Sequence, residues 1–407
     1  MFTTRLRLLT AGESHGPSLT GILEGMPAGV ALSTDAIRVE LERRQRGLGS
    51  GGRMKIETDA AKLTAGVVAG RTTGGPIAFV IDNADFKNWR DKDIKAMTVP
   101  RPGHADLTGA AKYGFRELRL SLERASARET AMRVAIGAAC RAMLAEFGVE
   151  MGGYVTRIGS IDCFDETALA DEQRLRARGA AAETNDVRCP DAQSYASMHQ
   201  EIEAAIEAKD TLGGVVETFA LGVPVGLGSH VHYDRRLDAR LSGALMSIHA
   251  TKGVEVGVGF ETTKRRGTQA QDELRLAAAT SNDSRASRIV RDTNRAGGIE
   301  GGISNGSPIV MRTAFKPIAT TIASLQSVDL ATGQPSATRY ERSDFCQVPR
   351  AVPIAEAMMA VVLADALCEK LGGDSVDEMR PRFDGLRQLD LNDLPMDAKP
   401  WRFGYDI

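Results

Sequence analysis

Two histidines lie in glycine-rich turns, a setting in which an imidazole can reach a bound ligand. His15 lies in Gly-Glu-Ser-His-Gly at residues 12–16, and His104 lies in Arg-Pro-Gly-His-Ala-Asp at residues 101–106. Asp106 follows His104 closely enough to orient its ring. Imidazoles titrate near neutral pH and are common general acids and bases. The two turns favour acid–base chemistry over the alternative, a local structural hydrogen bond for each histidine.

Positive charge is concentrated around the second of these turns. Residues 101–133 carry six arginines, one lysine and one histidine against four acidic residues, in a chain whose formal net charge is only -2. Pro102, Gly103 and Gly114 break the stretch into loops that can direct the charges inward. Such an arrangement is typical of a site for a small, highly charged anion.

A predicted helix over residues 125–147 supplies a second feature of an anion site. Free N–H groups in the first turn of a helix attract anions, and Arg128 and Arg133 would extend from this end. The alternative is a set of ion pairs with Glu123 and Glu129. Each such pair contributes only about 0.3–0.5 kcal/mol, too little to explain so many arginines here.

Metal and nucleotide motifs are weak in this chain. His15 and His104 lack the helical spacing of a zinc motif, and His230 and His232 could chelate but are expected on the surface. The glycine-dense run at residues 297–306 fits neither GxGxxG nor a P-loop. We therefore predict no metal and no added dinucleotide domain.

Composition limits the class of protein. The chain has 407 residues, 43% of them hydrophobic, and five scattered cysteines without CxxC spacing. This usage suits a reducing compartment. The sequence pI near 6.4 argues against nucleic-acid binding. We expect a cytoplasmic protein with no signal peptide and no membrane span.

The elements that must position these residues follow from periodicity. We predict strands at residues 2–10, 19–23 and 76–81, and helices at 33–45, 125–147, 237–249 and 353–371. Residues 1–371 are expected to form a single catalytic domain, with a surface insertion at 165–192 and a peripheral, irregular tail at 372–407. Similar short segments follow two of the helices, at 148–152 and 253–257, and similar segments start two strands, at 73–77 and 305–309. They suggest a duplicated β/α unit in an α+β fold.

Taken together, the motifs resemble those of the chorismate synthases over nearly the whole chain. The matching segments, in order, are GESHG at 12–16, RRQRG at 43–47, RPGHAD at 101–106, KYG at 112–114, ERASARETAMR at 123–133, TKGVEVG at 251–257, NRAGGIEGGISNG at 294–306, KPIAT at 316–320, RSD at 342–344 and AVPIAEAM at 351–358. The resemblance implies a layered β-α-β sandwich, with long central helices between antiparallel sheets, and a homotetramer.

The resemblance also implies a reaction. 5-Enolpyruvylshikimate 3-phosphate would lose phosphate and an allylic proton in a 1,4-anti elimination that gives chorismate. Reduced FMN is required without net redox change, because it is thought to supply an electron transiently and so weaken the C–O bond. The rival interpretation is a metal-dependent phosphohydrolase that uses the same anion pocket.

Residue roles carry over from the matching motifs. His15 resembles the acid that protonates the departing phosphate, His104 the residue that protonates or stabilises reduced flavin, and Asp344 the group that works with flavin N5 in proton removal. The residues that resemble substrate contacts are Ser14, Arg44, Arg53, Arg101, Ser126, Arg128 and Arg342. Those that resemble flavin contacts are Arg124, Ala125, Ser126, His249, Ala250, Gly301, Lys316, Pro317, Ile318, Ala319, Thr320 and Arg342.

Three positions depart from the family pattern. Ser50 replaces an arginine that many relatives have near the pocket or a pyridine nucleotide, which leaves Arg44 as the candidate NADP contact. His249 replaces an Asn or Gln near the flavin, and Ser343 replaces a histidine found in part of the family. With no added dinucleotide domain in the sequence, we expect an external flavin reductase or reductant.

Overall fold

The structure is a computed structural model that describes residues 4–50, 59–277, 287–341 and 344–404. The strands are β1 (Arg7–Ala11), β2 (Ser18–Glu24), β3 (Ala61–Ala65), β4 (Val67–Val68), β5 (Arg71–Thr72), β6 (Ile77–Asp82), β7 (Glu150–Ile158), β8 (Ile161–Asp162), β9 (Gly214–Leu221), β10 (Thr251–Val256), β11 (Leu274–Leu276), β12 (Ile289–Arg291), β13 (Ile299–Glu300), β14 (Ile303–Ser304), β15 (Ile309–Phe315), β16 (Gln326–Asp329) and β17 (Gln334–Ala337). The α-helices are α1 (Thr34–Gln45), α2 (Asp106–Tyr113), α3 (Arg119–Ala125), α4 (Thr130–Glu146), α5 (Glu172–Ala182), α6 (Ala192–Glu207), α7 (Leu237–Met246), α8 (Gly267–Ala270), α9 (Val348–Leu371) and α10 (Val376–Asp384).

Two antiparallel sheets organise the chain. The first has the strand order β1-β2-β6-β3, and the second has the order β10-β15-β9-β7-β8. In the first sheet β2 pairs with β6 from Ser18↔Asp82 to Leu23↔Ile77. Leu19 and Leu23 are buried while their neighbours along β2 are partly exposed, the alternation that one covered sheet face produces. The mixed helix-and-sheet class predicted from the sequence is confirmed.

Helices α4 and α9 form the centre of the core. Helix α4 packs on β2 and β6 of the first sheet, α9 packs on β7 and β9 of the second, and the two helices pack on each other. At their crossing, a Cβ placed on Gly137 would lie 2.3 Å from Cβ of Ala357. Such a contact is sterically impossible, so this crossing requires glycine.

Helix α9 is buried along almost its whole length. It is long and apolar enough to cross a membrane by length and composition alone, but its most apolar window is entirely buried inside the protein. Helix α9 is therefore a core helix. Its predicted start at residue 353 is wrong, because the helix begins at Val348 and carries Pro353 inside it.

The predicted continuous helix over 125–147 is also wrong at its start. Helix α3 ends at Ala125, Ser126 adopts an extended conformation (φ -69°, ψ 140°), and one 3₁₀ turn precedes α4 at Thr130. By contrast, α1 begins as predicted, because the side chain of Ser33 accepts a hydrogen bond from the N–H of Ala36. The interruption at Ser126 places its hydroxyl beside that of Ser14, the residue before His15.

Two peripheral segments pack more closely than their sequences suggest. Within residues 165–192, α5 packs on β7 and buries Leu175 and Ala182; that this segment is an insertion stays a prediction. In the tail, the expectation of irregular structure is wrong for α10, which buries Val376 and Met379.

Candidate active site

The loop after β1 positions His15 through a single acidic residue. Gly12, the first loop residue, has φ +114°, and a Cβ there would lie 2.5 Å from the carbonyl oxygen of Ser18, so glycine sets the turn. Both carboxylate oxygens of Glu123 then hold His15: Oε1 lies 2.7 Å from Nδ1, and Oε2 accepts the backbone N–H at 2.7 Å. Glu123 thereby fixes the orientation of the His15 ring.

An aromatic ring completes this setting. The ring of Trp89 lies 4.0 Å from that of His15, centroid to centroid, and its indole N–H donates to Asp85 at 2.9 Å. Burial alone would raise the pKa of Glu123, but the hydrogen bonds and charge of His15, with the charge of Arg119, together outweigh burial and lower that pKa. Glu123 therefore stays ionised and can stabilise a protonated His15.

Ser14 and Ser126 meet beside His15. The backbone N–H of Ser14 donates to the carbonyl oxygen of Glu123 at 3.1 Å, and the hydroxyl of Ser126 lies 3.1 Å from that of Ser14. Ser126 also accepts the backbone N–H of Arg128 at 3.3 Å. The interruption between helices α3 and α4 at Ser126 therefore brings together the two serines that were predicted to contact substrate.

Arg44 and Arg128 converge on Asp59. Nη1 of Arg128 lies 2.5 Å from Oδ1 of Asp59, and Nη1 of Arg44 lies 3.4 Å from its Oδ2. Arg44 also donates to the hydroxyl of Thr130 at 3.0 Å. All three charged side chains are almost fully buried. The structure thus brings together two predicted substrate contacts from α1 and from the turn before α4.

The second histidine belongs to a buried trio. Asp106 is fully buried and accepts hydrogen bonds from Nε and Nη2 of Arg101 at 2.8 and 2.9 Å. Its Oδ1 also lies 2.6 Å from Nδ1 of His104. Burial alone would raise the pKa of Asp106, but the hydrogen bonds with Arg101 and His104 hold it well below its usual range. Asp106 orients His104, as its spacing predicted, and leaves Nε2 for a ligand.

The segment 316–320 lies against the same turn. The hydroxyl of Thr320 accepts Nη1 of Arg101 at 3.0 Å, and Nζ of Lys316 donates to the carbonyl oxygen of Gly103 at 2.5 Å. The backbone N–H of Lys316 donates to Ala250 at 3.0 Å. The segment therefore lies between the His104 turn and Ala250, which follows α7. It contains the predicted flavin residues Lys316, Pro317, Ile318, Ala319 and Thr320.

A polar chain leads from β1 toward His249. Arg124 donates to the carbonyl oxygen of Thr10 at 3.0 Å, and the hydroxyl of Thr10 donates to Glu129 at 2.6 Å. Glu129 in turn accepts Nε of Arg133 at 2.8 Å, and Arg133 donates to Ser247. Arg133 therefore joins α4 to the turn before His249 rather than extending from a helix N-terminus toward an anion.

His249 is half-buried, and its Nδ1 atom is shielded from solvent. Its Nδ1 has no hydrogen-bond partner among the described residues. Burial lowers the pKa of His249 to about 4, and the positive charges of Arg133, Arg124 and His104 contribute in the same direction against an opposing effect of Glu129. His249 is therefore neutral at pH 7, so it can accept or donate a hydrogen bond without carrying charge.

Asp344 is connected to the backbone of Arg44 through a third residue, Arg350. It pairs with Arg350 at the start of α9, and Nε of Arg350 donates to the carbonyl oxygen of Arg44 at 3.1 Å. Arg53, Arg342 and Ser343 lie outside the described residues. Gly301 lies at the turn of the β13–β14 hairpin, which contacts α7 through β14.

Three residues of this region were missed or misread in the sequence. Glu123 was treated as a possible partner of arginines, whereas it holds His15. Asp59 and Trp89 belong to none of the motifs recognised in the sequence. Only the folded chain places Asp59 beside Arg128 and Trp89 beside His15. His230 and His232 are exposed, as predicted, and no cluster of three or more His, Cys, Asp or Glu residues suited to a metal occurs among the described residues.

Comparisons with known proteins identify the family. The family model described as chorismate synthase matches residues 6–368. The chain is 51% identical to the chorismate synthase of Pelobacter propionicus over 390 residues, which are 93% of this chain and 98% of that protein. The chain belongs to the chorismate synthase family.

Other members of the family agree in length and fold. The chorismate synthase of Aquifex aeolicus is 48% identical over 391 residues, 93% of this chain and 96% of that protein. A crystal structure of a chorismate synthase superposes with a TM-score of 0.77 at 42% identity, and covers 94% of this chain and 97% of that one. Chorismate synthases are lyases that use reduced flavin, and the rival phosphohydrolase interpretation has no support.

Proposed function

We propose that this chain converts 5-enolpyruvylshikimate 3-phosphate to chorismate with the residues that meet around its two histidines. The observation that carries this assignment of residues is the pair of matched arrangements, Glu123 with His15 and Asp106 with His104. Each carboxylate engages Nδ1, so Nε2 is the ring nitrogen that can carry a transferable proton. Membership of the chorismate synthase family supports the reaction itself.

The substrate carries a phosphate and two carboxylates, so its site needs several fixed cations. Arg44 and Arg128 supply guanidinium groups around Asp59, and Arg101 supplies a third held by Asp106. Ser14 and Ser126 offer hydroxyls beside His15. Arg53 and Arg342 are proposed as further contacts from the motif resemblance.

His15 is the group that we assign to the departing phosphate. With Nδ1 engaged by ionised Glu123, the imidazolium can hold its transferable proton at Nε2 and release it as the C–O bond breaks. A phosphate that gains a proton is a better leaving group, and a positioned acid contributes about 10²–10⁴-fold to rate. Asp344 is proposed to accept the allylic proton with the cofactor.

Reduced FMN is the cofactor that we propose, and the residues present fit a flavin. The buried Nδ1 of His249 has no hydrogen-bond partner among the described residues, as expected if it lies beside the polar ring of a flavin. Arg124, Ala125, Ser126, His249, Ala250, Gly301 and residues 316–320 would hold it, with His104 placed to stabilise its reduced form. When bound, the flavin supplies electron density that transiently weakens the C–O bond.

Several features beyond the reaction are proposed. Arg44 is almost fully buried and bonded to Thr130 and Asp59, which argues against a dinucleotide contact there and favours an external flavin reductase over NADP. We further propose a homotetramer and, from the five free cysteines, a cytoplasmic location.

The finer fold is also a proposal. The α4 and α9 contacts with opposite sheets favour a layered β-α-β sandwich. The similar segments 148–152 and 253–257 overlap strands β7 and β10. The similar segments 73–77 and 305–309 end at the first residues of β6 and β15. Both pairs favour an internal duplication. We propose a single domain over residues 1–371, with an insertion at 165–192 and a peripheral tail. The main core cluster extends through α9, which supports one domain, and it also includes Val376 and Met379 of the tail.

The test is anaerobic turnover with reduced FMN, following phosphate release and chorismate absorbance together. Wild-type protein should release both in equal amounts, and a chelator should leave the rate unchanged. His15→Ala and His104→Ala should each slow turnover by roughly 10–10⁴-fold. Near-normal turnover in either variant would contradict its role, and phosphate release without chorismate would contradict the reaction.

A further inference from the structure

Two cysteines outside the candidate active site lie in contact. The Sγ atoms of Cys163 and Cys189 are 3.9 Å apart, and both cysteines are free thiols. Cys163 is partly exposed, whereas Cys189 is 2% exposed. A disulfide has an S–S distance of about 2.05 Å, so the two sulfur atoms need to approach by only about 2 Å.

The backbone holds both cysteines against the same part of β7. The N–H of Cys163 donates to the carbonyl oxygen of Thr156 at 2.8 Å, and the N–H of Val155 donates to the carbonyl oxygen of Arg188 at 2.8 Å. The β7–β9 register shifts between Val155 and Arg157. A β-bulge of this kind redirects side chains locally, and here it accompanies the meeting of two segments that are distant in sequence.

Residues beside Cys189 also hold the loop that follows α1. The guanidinium group of Arg188 donates to the carbonyl oxygens of Arg46 at 3.0 Å and Pro349 at 2.6 Å. The N–H of Leu48 donates to the carbonyl oxygen of Asp186 at 2.8 Å. Movement at Cys189 would therefore be transmitted to the segment that carries Arg44 and Ser50.

We propose that Cys163 and Cys189 are a redox modification site that forms a reversible intramolecular disulfide and tightens the loop at Leu48. The oxidant is a small-molecule disulfide such as oxidised glutathione. The more exposed Cys163 loses its proton to solvent and attacks one sulfur of the oxidant, which releases one small thiol. The thiolate of Cys189 then attacks Sγ of Cys163 and expels the second small thiol, which takes up a proton.

The exchange is balanced and has a preferred order. Two protein thiols are oxidised, and one small disulfide is reduced to two thiols. In the reduced protein the hydrogen bond with Cys163 lowers the pKa of Cys189. Cys163 has no S–H once it carries the small thiol, so the second step depends on the short separation of the two sulfur atoms. The hydrogen bond with Cys189, together with burial, raises the pKa of Cys163, so the first step should be slow at neutral pH and faster as pH rises.

The test combines peptide mapping with hydrogen exchange on the full-length protein. After incubation with oxidised glutathione, a non-reducing digest should contain a peptide linking Cys163 to Cys189, and dithiothreitol should remove it. Exchange at the amide of Leu48 should slow by about threefold or more in the oxidised form, because its acceptor segment opens less often. Neither readout depends on turnover.

Matched variants separate the pair from other thiols. Cys163→Ser and Cys189→Ser should each abolish the linked peptide and the change at Leu48. Cys368→Ser is the control, because this buried cysteine of α9 contacts Met143, and it should retain both effects. Absence of the linked peptide in wild type, or a linked form with unchanged exchange at Leu48, would overturn the proposal.

Discussion

Replacing Glu123 with glutamine should disable His15 while leaving the fold in place. The carboxylate uses both oxygens, one for the ring Nδ1 and one for the backbone N–H of His15, each at 2.7 Å. Glutamine has a single acceptor oxygen, so one of these nitrogens would face an NH₂ donor instead. The ring would lose either its charged partner or its fixed position.

The expected magnitude follows from those two contacts. A hydrogen bond to a charged group contributes about 1.5–3 kcal/mol, and we expect most of this to appear in the barrier because the proton moves as the C–O bond breaks. The kcat of Glu123→Gln should therefore fall about 10- to 100-fold, equivalent to about 1.4–2.7 kcal/mol. The substrate KM should change much less, since the arginine clusters are untouched.

The assay is anaerobic turnover with reduced FMN, read at several substrate concentrations. Glu13→Gln is the matched control, because this exposed acid lies in the same loop and loses the same charge. Trp89 gives a readout of ring position, since its indole lies 4.0 Å from His15; a Trp401→Phe background removes the other tryptophan. Unchanged kcat in Glu123→Gln with altered Trp89 emission would show that His15 orientation does not limit turnover, and would refute the reasoning.

Three further predictions concern stability and pH. Asp106→Ala leaves the buried guanidinium of Arg101 without its carboxylate, and urea titration should show a loss of about 3–5 kcal/mol. Because the pKa of His249 is lowered to about 4, the unfolded chain binds the extra proton first as pH falls from about 6.5. Stability present above pH 6.5 should therefore fall by up to about 3 kcal/mol toward pH 4, and His249→Asn should flatten this dependence; an equal slope in both proteins would contradict it. Gly137→Ala should destabilise by about 1–3 kcal/mol despite its better helix propensity, because its Cβ would clash with Ala357, and an unchanged urea midpoint would show that the helices can separate.

The sequence predicted several of the longer elements but little of what joins them. Capping and periodicity located α1, β2 and β6 closely, because these signals are local. The helix start at residue 125 was wrong because Ser126 is the extended N-cap of the 3₁₀ turn before α4 rather than a residue inside a helix. Its contacts with Ser14 and with the N–H of Arg128 appear only in the folded chain.

Adjacent arginines illustrate why side-chain roles escaped prediction. Arg43 and Arg44 are neighbours in one motif, yet Arg43 pairs with Glu356 inside α9 while Arg44 contacts Thr130 and Asp59. A helix turns about 100° per residue, so neighbouring side chains leave in different directions. Which direction faces the site depends on where α4 and α9 pack, and no local pattern records this.

The first residues of the described chain are hydrogen-bonded to helix α9, which is distant in sequence. The backbone N–H groups of Thr4, Arg5 and Leu6 all donate to the carboxylate of Asp365 in α9, at 2.8, 2.7 and 2.6 Å. A ribosome adds about 5–20 residues per second, so these amides wait roughly 20–70 s for their acceptor to be synthesised. The segment that leads into β1 and the His15 loop thus reaches its final anchorage only after α9 has been synthesised.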